Sequence, residues 1–255
     1  MELIIIMKPF LFNKPLNSSL EKEMNSIFID IDDSPYSYNG VIVPRVTHIL
    51  SEMIHEDYLM NWANYIGRYK KQNHNDVRDQ SAHIGTEVHS AIEKYTSLNY
   101  VETFESEENV SNRLKMKNAF YSFKQWWDII RMNDFKIIFQ EQPLVCRYYG
   151  GTLDMFIMIN GLKYLVDFKT SNHFNYKYHL QTAAYRRVLY YEYGIDTDGI
   201  IILRLSKDQV YFEEQLLDLR DHSILEYINQ CDRTFMSLVY SYYNRKIVED
   251  KFKKL

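Results

Sequence analysis

Two aspartates and a lysine near the middle of the chain have types and spacing that suit metal-assisted hydrolysis. The segment from Gly150 to Lys169 reads GGTLDMFIMINGLKYLVDFK and contains Asp154, Asp167 and Lys169. Two carboxylates can hold a divalent cation that polarises a phosphoryl oxygen, and a nearby ammonium can act on a bound water. The same residues could instead form a solvated charge cluster on a surface hairpin, and this segment alone does not decide between the two.

A tight hairpin is predicted to bring these residues together. Asn160-Gly161 separates two alternating apolar segments, which is the strongest short signal for a two-residue turn. Counting outward from that turn places Asp154 directly opposite Asp167, and Lys169 returns to the same face. A slip of one residue would expose the opposite face, which is wholly apolar or aromatic, so the pattern supports this register. That face comprises Leu153, Met155, Ile157, Ile159, Leu162, Tyr164, Val166 and Phe168.

Two predicted helices carry further polar pairs at one-turn spacing. The first, from about residue 79 to 95, places His89 and Glu93 on one face. Taken alone, a histidine on an amphipathic helix is more often structural than a metal ligand. The second, from about residue 178 to 193, places Gln181 and Tyr185 on one face, and Gly194 is predicted to end it. Ordinary packing of the helix on a sheet is the alternative role for that pair.

Together these segments resemble the PD-(D/E)XK nuclease superfamily, and in detail its RecB-like branch. Gly151 to Asp154 is similar to the G-x-x-D strand of that branch, and Asp167 to Thr170 is similar to its D-x-K-T strand. Gln181 to Tyr185 matches the Q-x-x-x-Y helix, and Gly85 to Glu93 matches the G-x-x-x-H-x-x-x-E helix. All four motifs occur in the order found in the family.

A fifth similarity lies further upstream. Val43 to Leu50 is similar to the P-S-V-T-x-I-L opening of phage exonucleases and of the mitochondrial genome maintenance exonuclease, although Arg45 stands where those relatives usually have serine. The resemblance therefore extends from about residue 43 to 205. It implies a metal-dependent DNA exonuclease that acts on single-stranded or end-frayed DNA.

The resemblance also implies a metal site. His89, Asp154 and Asp167 would hold Mg²⁺ or Mn²⁺, with the backbone carbonyl of Phe168 as a further ligand. An imidazole ligand makes Mn²⁺ a good activator, since nitrogen suits Mn²⁺ better than Mg²⁺. Some RecB-like relatives bind an iron–sulfur cluster through four cysteines. Because this chain has only two, no such cluster is expected.

Catalytic and supporting roles follow from the same comparison. Lys169 would position or deprotonate the attacking water, or neutralise the developing charge, and the sequence leaves these roles open. Gln181 and Tyr185 would border the active site. Glu93 would orient His89 or a basic residue. Glu141, on a predicted strand, would support the site or a second metal ion, and an exposed strand glutamate is the alternative.

Composition restricts the remaining possibilities. With 255 residues, of which 46% are hydrophobic and 25% charged, the chain can form one main globular domain. A net charge of −4 counts against tight nonspecific DNA binding, although short basic segments are present. Two widely separated cysteines suit a reducing compartment, and the first residues predict neither a membrane span nor an export signal. We therefore expect a cytoplasmic protein.

Two other functions fit the same sequence. The chain could be the endonuclease subunit of a larger complex, for which net acidity would be natural, or a catalytically silent nucleic-acid-binding module. The intact set of Asp154, Asp167 and Lys169 argues against the silent module. DNA is the expected partner of the nuclease, with a replication or recombination protein as a possible second.

The predicted fold is α/β, with a central mixed sheet of about five strands flanked by helices and with helical N-terminal additions. Residues 1–42 are expected to form an arm and a small hairpin built from segments 27–32 and 40–43, and residues 43–255 the nuclease domain. Thr47 is predicted to cap a helix that continues to about Gly67, with Leu59 and Trp62 in its apolar stripe. A helix over about 110–132 is expected to turn Leu114 and the pair Trp126-Trp127 inward. Strands over 136–145, 199–205 and 209–215 and a helix over 219–247 complete the prediction.

Overall fold

A computed structural model of the chain describes residues 34–55, 61 and 63–255. The strands are β1 (Ser37–Tyr38), β2 (Val41–Ile42), β3 (Phe135–Val145), β4 (Gly150–Ile159), β5 (Leu162–Lys169), β6 (Gly199–Leu205) and β7 (Phe212–Asp218). The helices are α1 (Val46–Met53), a π-helical segment (Ile66–Lys70), α2 (His74–Leu98), α3 (Val110–Ile130), α4 (Tyr176–Tyr193) and α5 (His222–Lys253).

The central sheet confirms the predicted fold class. Its five strands lie in the order β3-β4-β5-β6-β7, and only β5 and β6 run parallel. Helices cover both faces, as a mixed α/β sheet requires to bury its apolar side chains. On one face α1, α4 and α5 pack around Phe156, Leu165 and Ile202, and on the other α2 and α3 pack around Met155, Val166 and Leu203.

The hairpin between β4 and β5 has the predicted turn and register. Asn160 and Gly161 have φ of +50° and +80°, as a two-residue hairpin turn of this type requires. Ile159 pairs with Leu162, and the pairing continues to Met155 and Val166. Side chains alternate between the two core clusters from Met155 to Ile157, but Leu153 departs from this pattern.

The prediction for Leu153 was therefore wrong. Leu153 packs in the same cluster as Phe156 rather than with Met155, so the alternation of β4 changes phase at Asp154. Regular alternation holds only while the backbone stays extended and paired. Asp154 lies at the position where that regularity ends.

The helix predicted from Thr47 to Gly67 is shorter than expected. It begins at Val46 after Arg45 and ends at Met53, where Ile54 adopts an extended backbone with φ of −118°. Thr47 therefore lies within the first turn rather than at the cap. Leu59 and Trp62 lie outside the described residues. A separate π-helical segment follows at Ile66–Lys70, and the next residue, Lys71, has a left-handed backbone with φ of +52°.

Two further predictions are corrected at the periphery. Leu114 is 58% exposed, because it lies on the outer side of α3, whereas Trp126 and Trp127 are buried in the core as expected. The N-terminal hairpin pairs β1 with β2 around Asn39-Gly40, so the predicted segment 40–43 contains one of its strands and Ser37–Tyr38 supplies the other. The predicted partner at residues 27–32 lies outside the described residues, and the division at residue 42 stays a prediction.

Strands β6 and β7 and helices α2 to α5 lie close to their predicted ranges. The largest shifts are at the end of α5, which continues six residues further to Lys253, and at the start of α2, which begins five residues earlier at His74. Helix α4 ends as predicted at Gly194, whose φ of +66° lies in the left-handed region.

Candidate metal and catalytic site

The candidate site forms where β4 and β5 separate. Their paired residues end at Met155 and Val166, one position before Asp154 and Asp167. Beyond that point the Phe168 amide donates a hydrogen bond to Asp154 Oδ2 at 2.6 Å. The side chain of Asp154 therefore replaces a backbone carbonyl as the acceptor, and the two strands can spread to leave room for a ligand.

Helix α2 brings His89 to this point. Val88, Ala91 and Ile92 bury the inner side of the helix, which fixes His89 at its edge. His89 Nδ1 lies 3.4 Å from Asp154 Oδ1, and its ring meets Phe168 edge to face at 5.8 Å. Burial lowers the pKa of His89, but the Asp154 carboxylate more than offsets this, and the pKa is raised on balance.

Glu141 completes a group of three possible metal ligands. One ligand atom each from His89, Glu141 and Asp154 lies within 4.8 Å of the others. Glu141 has φ of +44°, a left-handed conformation that is unusual for a residue inside a strand. Its half-buried carboxyl has a pKa of about 7, raised by burial and by the Asp154 charge. The sequence allowed either a supporting role or an exposed position for Glu141, and the structure places it among the three possible metal ligands.

Asp167 and Lys169 form a separate ion pair on β5. Lys169 Nζ lies 2.7 Å from Asp167 Oδ2 and donates to Gln181 Oε1 at 3.1 Å. Gln181 Nε2 in turn donates to Asp167 Oδ1 at 3.2 Å. Burial raises the pKa of Asp167 to about 6 against the lowering effect of Lys169. Burial lowers the pKa of Lys169, but the Asp167 and Asp154 carboxylates raise it on balance.

Close packing of Tyr185 on β4 supports this network. Gln181 Nε2 also lies 3.2 Å from the Tyr185 hydroxyl. A Cβ atom at Gly151 would lie 2.5 Å from the Tyr185 ring, so only glycine permits this contact. Burial raises the pKa of Tyr185 well above its usual value, and the phenol stays neutral.

The structure thus brings almost all the predicted site residues together. His89, Asp154, Asp167, Lys169, Gln181 and Tyr185 lie in one contiguous region, with the Phe168 backbone amide among them. Two points differ from the predicted ligand set. Glu141 joins His89 and Asp154, whereas Asp167 is engaged by Lys169 and Gln181. Metal binding by Asp167 and by the Phe168 carbonyl stays a prediction.

Glu93 lies at the margin of the site. It is exposed, and within the described residues its carboxylate has no hydrogen bond or ion pair with His89. Its charge contributes instead to raising the pKa of Glu141.

Tyr178 is a site residue that sequence reasoning missed. Lys169 Nζ lies 4.9 Å from the centre of the Tyr178 ring, within the range of a cation–π interaction. The sequence could have predicted this position. Tyr178 precedes Gln181 by three residues and therefore lies on the same face of α4.

The donor set suits a divalent cation. Two carboxylates and one imidazole can bind Mg²⁺, Mn²⁺ or Zn²⁺, and the group could hold such an ion. The neighbouring ammonium of Lys169 is held in place by contacts with Asp167, Gln181 and Tyr178. Together the two parts place a possible cation site beside a fixed positive charge.

Comparisons with known proteins add no assignment. No protein-family model matches the chain, and the curated proteins yield no significant match. The resemblance to RecB-like nucleases therefore rests on the motifs themselves. Among the described residues, no helix is long and apolar enough to cross a bilayer.

Proposed function

We propose that the chain is a metal-dependent nuclease that hydrolyses phosphodiester bonds in DNA, acting as an exonuclease on single-stranded or end-frayed substrates. One observation carries the proposal. Residues from α2, β3 and β4 supply His89, Glu141 and Asp154 as one possible ligand group, directly beside the Lys169 network of β5 and α4. The exonuclease mode comes from the sequence resemblance.

The proposed metal is Mg²⁺ or Mn²⁺. Two carboxylates favour a hard cation, and the imidazole of His89 favours Mn²⁺ over Mg²⁺. When bound, the ion would polarise a phosphoryl oxygen and activate water at neutral pH. The carboxylates of Asp154 and Glu141 would hold the ion, and the Phe168 amide would keep Asp154 in its orientation.

Lys169 is proposed to stabilise charge in the transition state. The Asp167 and Asp154 carboxylates raise its pKa on balance, which favours the ammonium form. A fixed ammonium can offset the negative charge that develops on the phosphoryl oxygens while water attacks phosphorus. The bond from phosphorus to the leaving oxygen then breaks and yields one phosphate end and one hydroxyl end. Asp167 and Gln181 would position Lys169 for this role.

Cleavage of end-labelled single-stranded DNA tests the proposal directly. Purified protein is incubated with Mn²⁺, Mg²⁺ or EDTA, beside Lys169→Met and the control Lys163→Met, which removes a lysine from the same strand outside the site. We expect metal-dependent cleavage that Lys169→Met reduces by about 10²-fold or more and that the control retains. A linear duplex and a closed circle, run in parallel, separate an exonuclease from an endonuclease.

Two outcomes would contradict the proposal. Absence of cleavage of every substrate with either metal, from protein whose circular dichroism shows a folded chain, would leave the silent binding module as the better reading. Equal cleavage by wild type and Lys169→Met would place the activity at another site or in a contaminant.

A further inference from the structure

A second cationic feature lies about two turns along α2 from His89, in the turn that follows β6. Lys207 is half-buried there, and its ammonium donates a hydrogen bond to Ser81 Oγ of α2 at 2.9 Å. The side chain of Asn118 on α3 donates to the backbone carbonyl of Lys207 at 2.9 Å. Lys207 is therefore held between two helices rather than extended into solvent.

Among the described residues, no carboxylate lies within ion-pair distance of the Lys207 ammonium. Within the described residues neither Lys207 nor Lys115 of α3 forms an ion pair, whereas Lys117, two residues further along α3, lies 3.1 Å from Glu105. Burial and the charge of Lys115 lower the pKa of Lys207, and Asp208 only partly opposes this. Lys115 lies one turn before Asn118, whose side chain contacts the Lys207 backbone, so the two lysines belong to the same region of the surface. Two such ammonium groups without an ion-paired carboxylate create a local positive potential that favours an anion.

Helix α2 connects this feature to the candidate metal group. Ser81, Gly85 and His89 follow one another at four-residue spacing, so they form one stripe along the helix. Gly85 faces Thr170, the residue after Lys169, since a Cβ atom at Gly85 would lie 3.4 Å from Thr170 Oγ1. The stripe thus runs from His89 past the end of β5 to Ser81, the hydrogen-bond partner of Lys207.

The separation matches a nucleic-acid strand. From His89 to Ser81 the helix rises about 12 Å, at ~1.5 Å per residue. That distance corresponds to about three or four nucleotides of a stacked strand, at ~3.4 Å each. Thr170, which faces Gly85 partway along, and Ser81 at the far end both carry half-buried hydroxyl groups, which suit a polar nucleic-acid backbone.

We propose that Lys207 and Lys115 bind a backbone phosphate of the nucleic-acid strand a few nucleotides from the scissile bond, with the strand lying along the Ser81–Gly85–His89 stripe. The inference rests on the proposed nuclease function, and it adds the path along which the substrate strand lies on the protein. The hydrogen bond to Ser81 uses one of three ammonium protons of Lys207, which leaves two for the phosphate. Such contacts fix the register of the strand without reading its sequence.

Binding measured in the absence of cleavage tests this subsite. In the Lys169→Met background, fluorescence anisotropy gives the affinity for a labelled 12-nucleotide strand between 50 and 200 mM salt. We expect Lys207→Gln to weaken binding about 5- to 10-fold and to reduce the salt slope by about 0.7, while Lys207→Arg restores both. Lys115→Gln should act in the same direction. The matched control is Lys117→Gln, whose charge is already paired with Glu105.

Substrate length separates a phosphate contact from an effect on the fold. An unlabelled dinucleotide competitor is too short to reach Lys207 from the metal group, so its affinity should be the same with and without Lys207→Gln. Equal affinities and salt slopes for Lys207→Gln and Lys117→Gln on the 12-nucleotide strand would overturn the proposal. An equal loss of affinity for strand and dinucleotide would also overturn it.

The two proposals fail separately. Wild-type protein that cleaves DNA while Lys207→Gln binds the strand normally would remove the subsite and leave the nuclease. If the wild-type protein never cleaves DNA, but Lys207→Gln binds the strand more weakly than wild type, the subsite is kept and the nuclease proposal is rejected.

Discussion

The carboxylate of Asp154 accepts a hydrogen bond from the backbone amide of Phe168 at 2.6 Å, across the point where β4 and β5 stop pairing. This contact gives Asp154 two roles. One oxygen joins the strands, while the other faces His89 at 3.4 Å. In a regular ladder Asp154 would lie directly opposite Asp167 and repel it. Here the Asp154 carboxylate is turned toward His89 of α2 instead.

The two roles of Asp154 can be separated by substitution. Asp154→Asn keeps an oxygen that can accept from Phe168, so the fold should persist while Mn²⁺ binding and cleavage are lost. Asp154→Ala removes the acceptor as well and leaves a buried amide unpaired, at a cost of about 1–3 kcal/mol. Thermal unfolding and Mn²⁺ calorimetry of both variants provide the measurement. Equal unfolding temperatures for the two variants would show that the hydrogen bond contributes little.

The left-handed backbone at Glu141 predicts that stability and metal binding oppose each other. Glu141→Gly should relieve strain of about 1–2 kcal/mol, partly offset by the flexibility of glycine in the unfolded chain, for a net gain of about 0.5–1 kcal/mol. The same change removes one of the three proposed metal ligands, so Mn²⁺ affinity should fall. Chemical denaturation and calorimetry measure the two effects.

Gln142→Gly is the matched control on the same strand. Gln142 does not have a positive φ, so glycine there should destabilise the protein by about 0.5–1 kcal/mol. A loss of stability in both variants would contradict the strain assigned to Glu141.

The affinity for Mn²⁺ should fall as the pH falls below 7. In the metal-free protein Glu141 has a pKa of about 7 and the pKa of His89 is raised, so both groups hold protons in slightly acidic solution. A metal requires the carboxylate and the neutral imidazole, and binding must release these protons. Mn²⁺ affinity should therefore fall about tenfold or more per pH unit below 7.

Calorimetry at pH 7 in two buffers with different ionisation enthalpies gives the number of protons released. Glu141→Gln should release fewer protons than wild type. A Mn²⁺ affinity that stays constant from pH 7 to 5.5 would contradict the assignment of these groups as ligands.

Replacing each of two glycines near the site by alanine should change the free energy of unfolding in opposite directions. Gly151→Ala would place a methyl group 2.5 Å from the Tyr185 ring, and displacing that ring should cost about 1–3 kcal/mol. Gly85→Ala lies inside α2, where the nearest contact is 3.4 Å to Thr170 Oγ1, and should stabilise by about 0.5–1 kcal/mol.

A double-mutant cycle checks the cause of the first effect. In a Tyr185→Leu background the cost of Gly151→Ala should shrink, because the clashing ring is gone. An unchanged cost would mean that Gly151 is required for the backbone of β4 instead.

Much of the fold could be predicted because the determining signals are local. Asn160-Gly161 defined the turn, and the position of the turn fixed the register of β4 and β5. Helix periodicity placed Gln181 and Tyr185 on one face, and both contact the same network. The prediction failed at the helix after Arg45, where an apolar stripe continued in the sequence beyond the point at which Ile54 leaves the helical backbone.

The sequence by itself determined which residue types are available for chemistry, the register that brings Asp154 near Asp167, and the stripe of α2 that contains His89. The tertiary structure alone decided how those residues divide into two groups. Alternation along a strand is a local rule, and it gave no warning that Glu141 would take a left-handed backbone and join His89 and Asp154. The same local rule could not predict that Asp167 contacts Lys169 and Gln181, because those contacts depend on how α2 and α4 pack on opposite faces of the sheet.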